Sequence, residues 1–389
     1  MKNWSTYIFL LVAGALSLLA TSCSQEDEGL ESVIASQGKA TIQFSIALGD
    51  SGASSRTNKT WGDQPYNDDS DVPDTDETNY GNEFENTINP GQFHVSLIIP
   101  GTSSDTIPVK LISRLDDTND YQYTFKGEVI VENKQSLKGA NIQVFANLTE
   151  DEFDEEELLF ETNYNDYPGT GRNNIPMWGV HTITSDLVLA GGNTIDLRST
   201  PIYLLRSMAK VEVIINPALT DFTIESVGLN KYNEKGYLKP SNTGEEVNTK
   251  DYNREECIHA FSSLKSYPDY TGLPFTYNQK SKSYILYVPE YDNPKQKDED
   301  DAVIFLSIKK GGKYISTQLG SNGAIKMTDL NLVRNHWYKY YINSINIETD
   351  IQFTLQYQVI NWTEINNGKL IFGNGDGNVN NSNGDTTIQ

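Results

Sequence analysis

The ten residues KATIQFSIAL at positions 39–48 decide the fold, because apolar and polar side chains alternate along them. Four large apolar residues fall on one face of this segment, namely Ile42, Phe44, Ile46 and Leu48. A period of two residues is typical of a β-strand with one buried face. The segment therefore predicts a strand that completes an apolar core built by residues farther along the chain.

The same pattern returns along most of the chain, in short apolar runs separated by turn residues. Before position 200 the runs cover residues 93–100, 107–113, 121–131, 141–147, 183–189 and 194–197. After it they cover residues 203–205, 209–215, 222–229, 284–289, 302–308, 314–319, 337–347 and 351–362. This spacing predicts an all-β protein with two β-sandwiches and a boundary near residue 200. Residues 150–161 are the best helix candidate in the first series, with a fully solvated outer face.

Composition excludes several classes of protein. The chain has 389 residues, enough for two domains with cores of their own. Its 53 acidic and 30 basic residues give a net charge of −23, so a nucleic-acid partner is not expected. Four histidines and two cysteines leave few soft ligands, and we expect neither a metal centre nor a cofactor.

The N-terminus has the pattern of an exported lipoprotein. Lys2 precedes an apolar run at residues 7–19, which is too short to span a bilayer. Small residues then lead directly to Cys23, as in the site cut by lipoprotein signal peptidase. We predict a signal peptide over residues 1–22 and lipidation of Cys23. The alternative is an ordinary secretory signal with an incidental cysteine.

Polar segments flank the predicted sandwiches. Arg56 lies in a loop of small residues. Residues 61–90 contain nine carboxylates and no Lys or Arg, a composition that predicts a long solvated loop or a disordered segment. The tail after Phe372 has too few apolar residues to order itself alone. Calcium binding is left open for two clusters of oxygen ligands, Asp68, Asp69, Asp71, Asp74 and Asp76, and Asn374, Asp376, Asn378 and Asn380.

Five separated motifs together resemble one family. They are FAN at 145–147, IPMWG at 175–179, LRSMAKV at 205–211, RNHWY at 334–338 and VINW at 359–362. In this order, and with the lipoprotein signal, they resemble the fimbrillin family of Bacteroidota, the FimA-like and Mfa-like subunits of type V pili. The acidic stretch SQEDE at 24–28 is similar to the signal that sends lipoproteins of these bacteria to the outer face of the outer membrane.

The resemblance implies two transthyretin-like β-sandwich domains in series. It divides the chain into a signal peptide (1–22), a propeptide with the first strand (23–56), an N-terminal sandwich (57–200), a C-terminal sandwich (201–367) and a polar extension (368–389). It also implies a location on the outer membrane and then in a fimbrium.

The resemblance further implies a cycle of processing and assembly. A trypsin-like or arginine-specific protease would cut between Arg56 and Thr57, releasing the lipid together with the first strand. The vacated groove would then take an extension strand from another pilus subunit. The candidate donor residues are Leu370, Ile371 and Phe372, although the polar residues that follow depart from a donor pattern.

No enzyme is predicted. GDSG at 49–52 matches the nucleophile turn of trypsin-like proteases, but no histidine precedes it and it lies in a connecting loop. The four histidines, at positions 94, 181, 259 and 336, lie in separate segments and are expected to be structural. The alternatives to a pilus subunit are a lipid-anchored tip or anchor adhesin for a host or bacterial surface ligand, and a surface glycan-binding lipoprotein.

Overall fold

The structure is a computed structural model. It describes residues 38–48, 56–57, 83–101, 106–115, 122–149, 159–161, 174–241, 249, 258, 264–265, 272–279, 281–292, 302–319, 331–346, 352–361, 371–372 and 385–387. The predicted signal peptide, Cys23, Leu370 and both calcium clusters lie outside these residues. Strands predominate within them, so the all-β prediction is confirmed. No helix in the described part of the chain is long and apolar enough to cross a membrane.

The strands are numbered in chain order. The first half contains β1 (Gly38–Leu48), β2 (Arg56–Thr57), β3 (Thr87–Ile88), β4 (Phe93–Ile98), β5 (Thr106–Pro108), β6 (Lys110–Leu115), β7 (Gln122–Val131), β8 (Gln135–Ser136), β9 (Asn141–Ala146), β10 (Leu159–Glu161), β11 (Met177–Thr182), β12 (Val188–Leu189) and β13 (Thr194–Arg206). The second half contains β14 (Met208–Ile215), β15 (Thr223–Asn230), β16 (Tyr232–Asn233), β17 (Lys235–Tyr237), β18 (Leu264–Lys265), β19 (Leu273–Pro274), β20 (Thr276–Asn278), β21 (Ser283–Pro289), β22 (Val303–Lys310), β23 (Lys313–Leu319), β24 (His336–Asn346), β25 (Gln352–Asn361), β26 (Ile371–Phe372) and β27 (Asp385–Thr387). Two 3-10 turns, Glu83–Glu85 and Pro90–Gln92, flank β3.

One nine-stranded sheet wraps around the first core. Its strand order is β27-β6-β7-β1-β13-β11-β9-β4-β5. β5 is the strand at one end of this sheet, and β6 is next to the strand at the other end. Only the buried Val109 separates β5 from β6 in the chain, so the two ends of the sheet are directly connected. Apolar side chains from β1, β4, β7, β9, β11 and β13 fill the interior. Their alternation in the sequence explains this, because each strand turns one face inward.

A second core lies between two further sheets. A six-stranded sheet has the order β2-β25-β24-β14-β21-β20, and a four-stranded sheet has the order β19-β15-β22-β23. The core between them takes Ala209, Val211 and Val213 from β14 and further apolar side chains from β15, β21, β22 and β24.

β1 and β14 hold the same position in their sheets. β1 is antiparallel to β7 and parallel to β13, and β14 is antiparallel to β21 and parallel to β24. The recurrence agrees with two sandwiches of one kind, while the domain borders stay a prediction. β13 runs past position 200, because Ile202, Tyr203 and Leu204 still pair with β1. The chain changes sheets at Ser207, between β13 and β14.

Two of the predicted elements were wrong. Residues 183–187 are not a strand, because Ser185 and Asp186 form a turn in which the Ser185 carbonyl accepts a hydrogen bond from the Leu187 amide. Leu159–Glu161, the last part of the helix candidate at 150–161, pairs as a strand with β17, and the rest lies outside the described residues. Asp385–Thr387 in the polar tail pairs with β6, so this part of the tail is held by an edge strand elsewhere in the chain and not by apolar burial of its own.

Candidate strand-exchange site

The strand that the sequence analysis expects to be exchanged, β1, lies in the middle of the first sheet. Along one edge it pairs with β7, from Gly38 opposite Val131 to Ala47 opposite Gln122. Along the other edge it pairs with β13. Its removal would leave the edges of β7 and β13 without partners and open the wrapped sheet.

The inward face of β1 is a continuous part of the core. Ile42, Phe44 and Ile46 are 0% exposed and Leu48 is 5% exposed, so the structure brings the four predicted residues together on one buried face. Phe44 stacks on Phe125 of β7, with ring centroids 5.6 Å apart. Aromatic contact continues to the opposite layer of the sheet, because Phe125 also contacts the ring of Phe93 of β4 at 5.2 Å. Phe44 is therefore linked to β4 through the ring of Phe125.

The outward face of β1 is closed at one position, Ser45. Thr41, Gln43 and Ala47 are only partly buried, whereas Ser45 is 0% exposed. Its hydroxyl oxygen lies 3.0 Å from that of Thr124, the residue opposite it on β7, and one hydroxyl donates to the other. Residues 44–46 are thus buried on both faces of the strand.

β13 bulges beside this closed position. Leu197 pairs with Phe44 and Ile202 pairs with Ile46, so β13 spans five residues where β1 spans two. The extra residues lie at the surface, where the Arg198 guanidinium donates to the Asp196 carboxylate with Nη2 2.6 Å from Oδ2. The same hydrogen bond lowers the pKa of Asp196 to about 2. A pair this exposed contributes little stability, so the bulge is fixed chiefly by the paired residues on either side of it.

The place that β1 occupies between β7 and β13 is called the slot below. On the β13 side it depends on a close approach between β11 and β13. A Cβ at Gly179 would lie 2.6 Å from the Tyr203 carbonyl oxygen and 2.7 Å from a methyl carbon of Leu204. We expect Gly179→Ala to lower the free energy of unfolding by about 1–3 kcal/mol, because one strand must move. Thermal unfolding measures this, with Gly91→Ala as the matched control, since a Cβ there meets only an ordinary 3.5 Å contact. Equal melting temperatures for the two variants would contradict the close approach.

The predicted cleavage site lies on the second sheet. The sequence analysis places Arg56 in a loop, but the backbone of Arg56 and Thr57 pairs with Val359 and Gln358 of β25 as the short edge strand β2. The predicted propeptide therefore contacts both halves of the molecule, through β1 in the first sheet and through β2 in the second. Proteases bind substrates in an extended, unpaired form, so this pairing must open before cleavage.

Two of the candidate donor residues lie against their own chain. Ile371 and Phe372 form β26, which runs parallel to β3 with Phe372 opposite Ile88. Farther along, Thr386 of β27 pairs with Arg114 at the edge of the first sheet. The C-terminal segment thus returns from the second sheet to the first half of the molecule.

A third cluster of buried side chains joins the two cores, and four of the five family motifs meet in it. The motifs contribute Phe145, Ile175, Trp178, Leu205, Met208 and Trp337 to this junction. Sequence reasoning named the motifs but not their contact, because residues far apart in the chain come together only through sheet register. One signal in the sequence could have indicated such a contact, namely the charged residues Lys210 and Glu212 inside the apolar run AKVEVII. Charged side chains that are buried must find partners elsewhere in the chain.

Glu85 is the central carboxylate of the junction. It is 0% exposed, and its Oε1 accepts hydrogen bonds from Lys210 Nζ at 2.7 Å and from the Tyr287 hydroxyl at 2.5 Å. The Lys210 ammonium also lies 3.6 Å from the centroid of the Trp337 ring, a cation–π contact. Glu85 belongs to the segment that leads into β3, so the junction fixes that segment to the second half of the molecule.

Arg206 adds a second set of contacts to the same segment. Its Nε donates to the Glu85 carbonyl at 2.9 Å, Nη1 donates to Asn335 Oδ1 at 2.8 Å, and Nη2 donates to Asn86 Oδ1. Burial lowers the pKa of Arg206 to about 10, so the guanidinium is charged at neutral pH. Arg206 of LRSMAKV therefore connects one short segment of the N-terminal half to Asn335 of RNHWY.

Two further motif residues fix the surrounding backbone. Arg334 forms a two-pronged ion pair with Glu290, with Nε–Oε1 at 2.7 Å and Nη2–Oε2 at 2.8 Å, and Nη1 donates to the Leu238 carbonyl at 2.7 Å. Asn147 of the FAN motif has a positive φ of 65°, and its Nδ2 donates to the carbonyls of Thr87 at 2.9 Å and Ile175 at 2.7 Å. Asn147 thereby holds β3, the strand on which β26 lies.

No metal centre is visible in the part of the chain that the structure describes, since no three His, Cys, Asp or Glu side chains converge there. His94 Nε2 lies 3.4 Å from the Leu148 carbonyl and His336 Nδ1 lies 2.8 Å from the Arg334 carbonyl, contacts of a structural kind. Trp178 and Trp337 are each 1% exposed and so face the interior, away from a sugar ligand.

Comparisons with known proteins give matches only among solved structures. A scan against models of protein families finds no match for this chain, and neither does a search of curated proteins. The tip fimbrial protein Mfa3 of Porphyromonas gingivalis, solved with a C-terminal truncation, matches at 12% identity over 83% of this chain and 100% of that chain, with a TM-score of 0.48. The fimbrilin FimA of Porphyromonas gingivalis W83 matches at 12% identity over 86% and 99%, with a TM-score of 0.42. The fimbrial anchor protein Mfa2 of Porphyromonas gingivalis matches at 10% identity over 83% and 98%, with a TM-score of 0.33. These solved structures are fimbrial proteins, the kind of protein that the sequence motifs resemble.

Proposed function

We propose that this chain is a structural subunit of a cell-surface fimbrium of the type V pilus kind, with a role in adhesion. It is exported as a lipoprotein with lipid on Cys23, cut after Arg56, and joined to other subunits by strand exchange. The solved structures that match this chain are named as fimbrial proteins, which agrees with the proposal. The observation that carries the proposal is β1, a strand upstream of Arg56 that lies in the middle of the first sheet and has its inward apolar face buried in the core.

The loss of β1 is energetically costly unless another strand takes its place in the first sheet. Four large apolar side chains leave the core with it, and their burial by another strand contributes on the order of 5–10 kcal/mol before ordering costs. The unpaired edges of β7 and β13 supply backbone hydrogen bonds to that strand as well. A joint between two different surfaces of the subunit propagates head to tail, and so forms a fibre.

The test is digestion of the purified precursor with an arginine-specific protease, followed by electrophoresis and mass spectrometry. We expect a new N-terminus at Thr57 and a ladder of multimers. Arg56→Ala should give neither product, whereas Lys59→Ala, three residues away, should leave both unchanged. Multimers formed by Arg56→Ala would exclude Arg56 as the processing site.

A second function is favoured by one observation, the pairing of the propeptide and the C-terminal segment within the same chain through β2 and β26. A subunit that keeps both segments in place would act as a lipid-anchored tip or anchor adhesin that presents its surface to a host or bacterial ligand. Mass spectrometry of fimbriae sheared from cells distinguishes the two functions. An N-terminus at Thr57 supports the polymerising subunit, and an N-terminus at a lipid-modified Cys23 supports the anchored one.

A further inference from the structure

One position of the slot that β1 fills accepts only a small side chain on its outward face, and this position fixes the register of any strand within the slot. Alternation alone cannot set the register, because a slip of two residues keeps the same side chains on the same face. In β1 the side chains on the outward face are partly exposed at Thr41, Gln43 and Ala47 and fully buried at Ser45. A slip of two residues would place Gln43 or Ala47 at this closed position.

Both neighbouring strands contribute to the closed position. On β7, the Thr124 hydroxyl lies 3.0 Å from the Ser45 hydroxyl and offers a hydrogen bond to a small polar side chain. On β13, the regular pairing stops between Leu197 and Ile202, so the bulge lies beside this one residue of β1. A large side chain at this position would overpack the site, and a side chain without a hydrogen-bonding group would leave Thr124 without that partner.

The inward pockets define the rest of the pattern. From one end of the slot to the other they hold Ala40, Ile42, Phe44, Ile46 and Leu48, all of them buried. The pocket before the closed position accepts an aromatic ring, because Phe44 stacks on Phe125 there. A strand that fits has large apolar residues at four alternate positions, an aromatic residue at the second of them, and a small hydroxyl residue directly after the aromatic one.

The C-terminal residues of this chain do not carry that pattern. Within residues 362–389, no window has more than two large apolar residues at four alternate positions, and the best window ends in Leu370 and Phe372. No Ser or Thr follows either residue directly, since Ile371 and Gly373 occupy those positions. A second copy of this chain could fill at most half of the pockets with this segment.

We infer that the slot selects a strand with a small hydroxyl residue at the Ser45 position, and that in the fimbrium a strand from a different protein fills it in preference to residues 362–389 of a second copy, which form the weaker joints expected when the purified precursor is digested alone. The inference rests on the proposed strand exchange and names its partner by chemistry. This chain would then accept a strand of the pattern aliphatic-x-aromatic-Ser/Thr-aliphatic-x-Leu, running parallel to β13.

Peptide capture tests the inference on the full chain. The tagged precursor is digested with the arginine-specific protease in a large excess of one biotinylated peptide, and the protein retained on streptavidin is measured. The peptides are the native sequence of residues 38–48, its Ser45→Leu, Ser45→Thr and Gln43→Leu variants, and residues 364–374. We expect the native, Ser45→Thr and Gln43→Leu peptides to be captured alike. Ser45→Leu and residues 364–374 should be captured at least about tenfold less.

The outcomes separate the inference from the function on which it rests. If the chain is cut after Arg56 and the native peptide is not captured, strand exchange fails and the inference fails with it. Capture of Ser45→Leu at the native level would overturn the selection for a small residue at the Ser45 position while leaving exchange intact. Capture of residues 364–374 at the native level would overturn the heterologous origin of the strand and restore a second copy as the donor.

Discussion

Replacing Glu85 with Leu is expected to lower the free energy of unfolding by about 3–5 kcal/mol, the usual cost of breaking a buried ion pair from one side. The Lys210 ammonium, 2.7 Å from Glu85 Oε1, would keep its position next to the Trp337 ring but lose its carboxylate. The Tyr287 hydroxyl would lose its acceptor as well. Leucine fills a similar volume, so the loss comes from taking the carboxylate away from the Lys210 ammonium and the Tyr287 hydroxyl rather than from a cavity. Urea unfolding followed by tryptophan fluorescence measures it.

Two further variants show whether the charge causes the loss. Adding Lys210→Met to Glu85→Leu should recover most of the stability, because a buried pair can be replaced by apolar groups at little cost. The exposed pair of Lys39 and Glu128 is the matched control, since its atoms are 2.9 Å apart but its side chains are 70% and 31% exposed. Glu128→Leu should cost less than about 1 kcal/mol. A similar loss for Glu85→Leu and Glu128→Leu would show that burial adds nothing to the junction pair.

The sequence predicts β1 and its buried face correctly because a half-buried strand has a local signature. Ile42, Phe44, Ile46 and Leu48 recur at a period of two, and one face of the strand contacts one core. The burial of Ser45 could not be predicted, because it depends on a bulge in β13, some 150 positions later in the chain. A serine on the outward face of a strand is ordinarily expected to be exposed to solvent. Here the pairing of β1 with β7 and β13 buries it instead.

The junction was beyond prediction for a related reason. Each motif predicts a strand or a strand end, but the contact of Arg206 with Asn335 spans 129 positions, and the contact of Lys210 with Glu85 spans 125. Sequence patterns report which residues are buried, and the partners of buried charges are set by how the sheets pack. Glu85 itself lies in a stretch whose acidic composition predicts a solvated loop, yet it is the most deeply buried carboxylate of the junction.

The junction and the slot are linked through the segment between them. Residues 83–89 follow the predicted cleavage site and are held by Glu85, by Asn86 and by the bonds of Asn147 to Thr87 and Asn89. After cleavage at Arg56 this segment would therefore keep its place. β1, on the other side of the cut, is held by sheet pairing, apolar burial, the Ser45–Thr124 hydrogen bond and the exposed Lys39–Glu128 ion pair, and by no buried ion pair among the described residues. A cut at Arg56 would separate a segment that is held by buried charges from the strand that we propose to be exchanged.

Phe44→Ala should destabilise the uncut chain by about 3–5 kcal/mol, the range for removing a buried phenylalanine ring. Phe44 is 0% exposed and stacks at 5.6 Å on Phe125, so its loss leaves a cavity that β7 and β4 cannot fill without moving. Gln43→Ala is the matched control, because Gln43 is the neighbouring residue on the partly exposed face and should cost less than about 0.5 kcal/mol. Chemical unfolding of both uncut variants measures the difference.

The same substitution should have no effect once β1 has been exchanged. After digestion at Arg56 and capture of the native peptide, residue 44 of the variant has left with the propeptide, and the slot contains the phenylalanine of the peptide. The melting temperatures of the Phe44→Ala and unaltered chains should then be equal, although they differed before digestion. A difference that persists in the cut and peptide-bound proteins would mean that β1 never leaves the sheet. Such a result would make β1 a permanent part of the first core, and the slot would not exist in the mature protein.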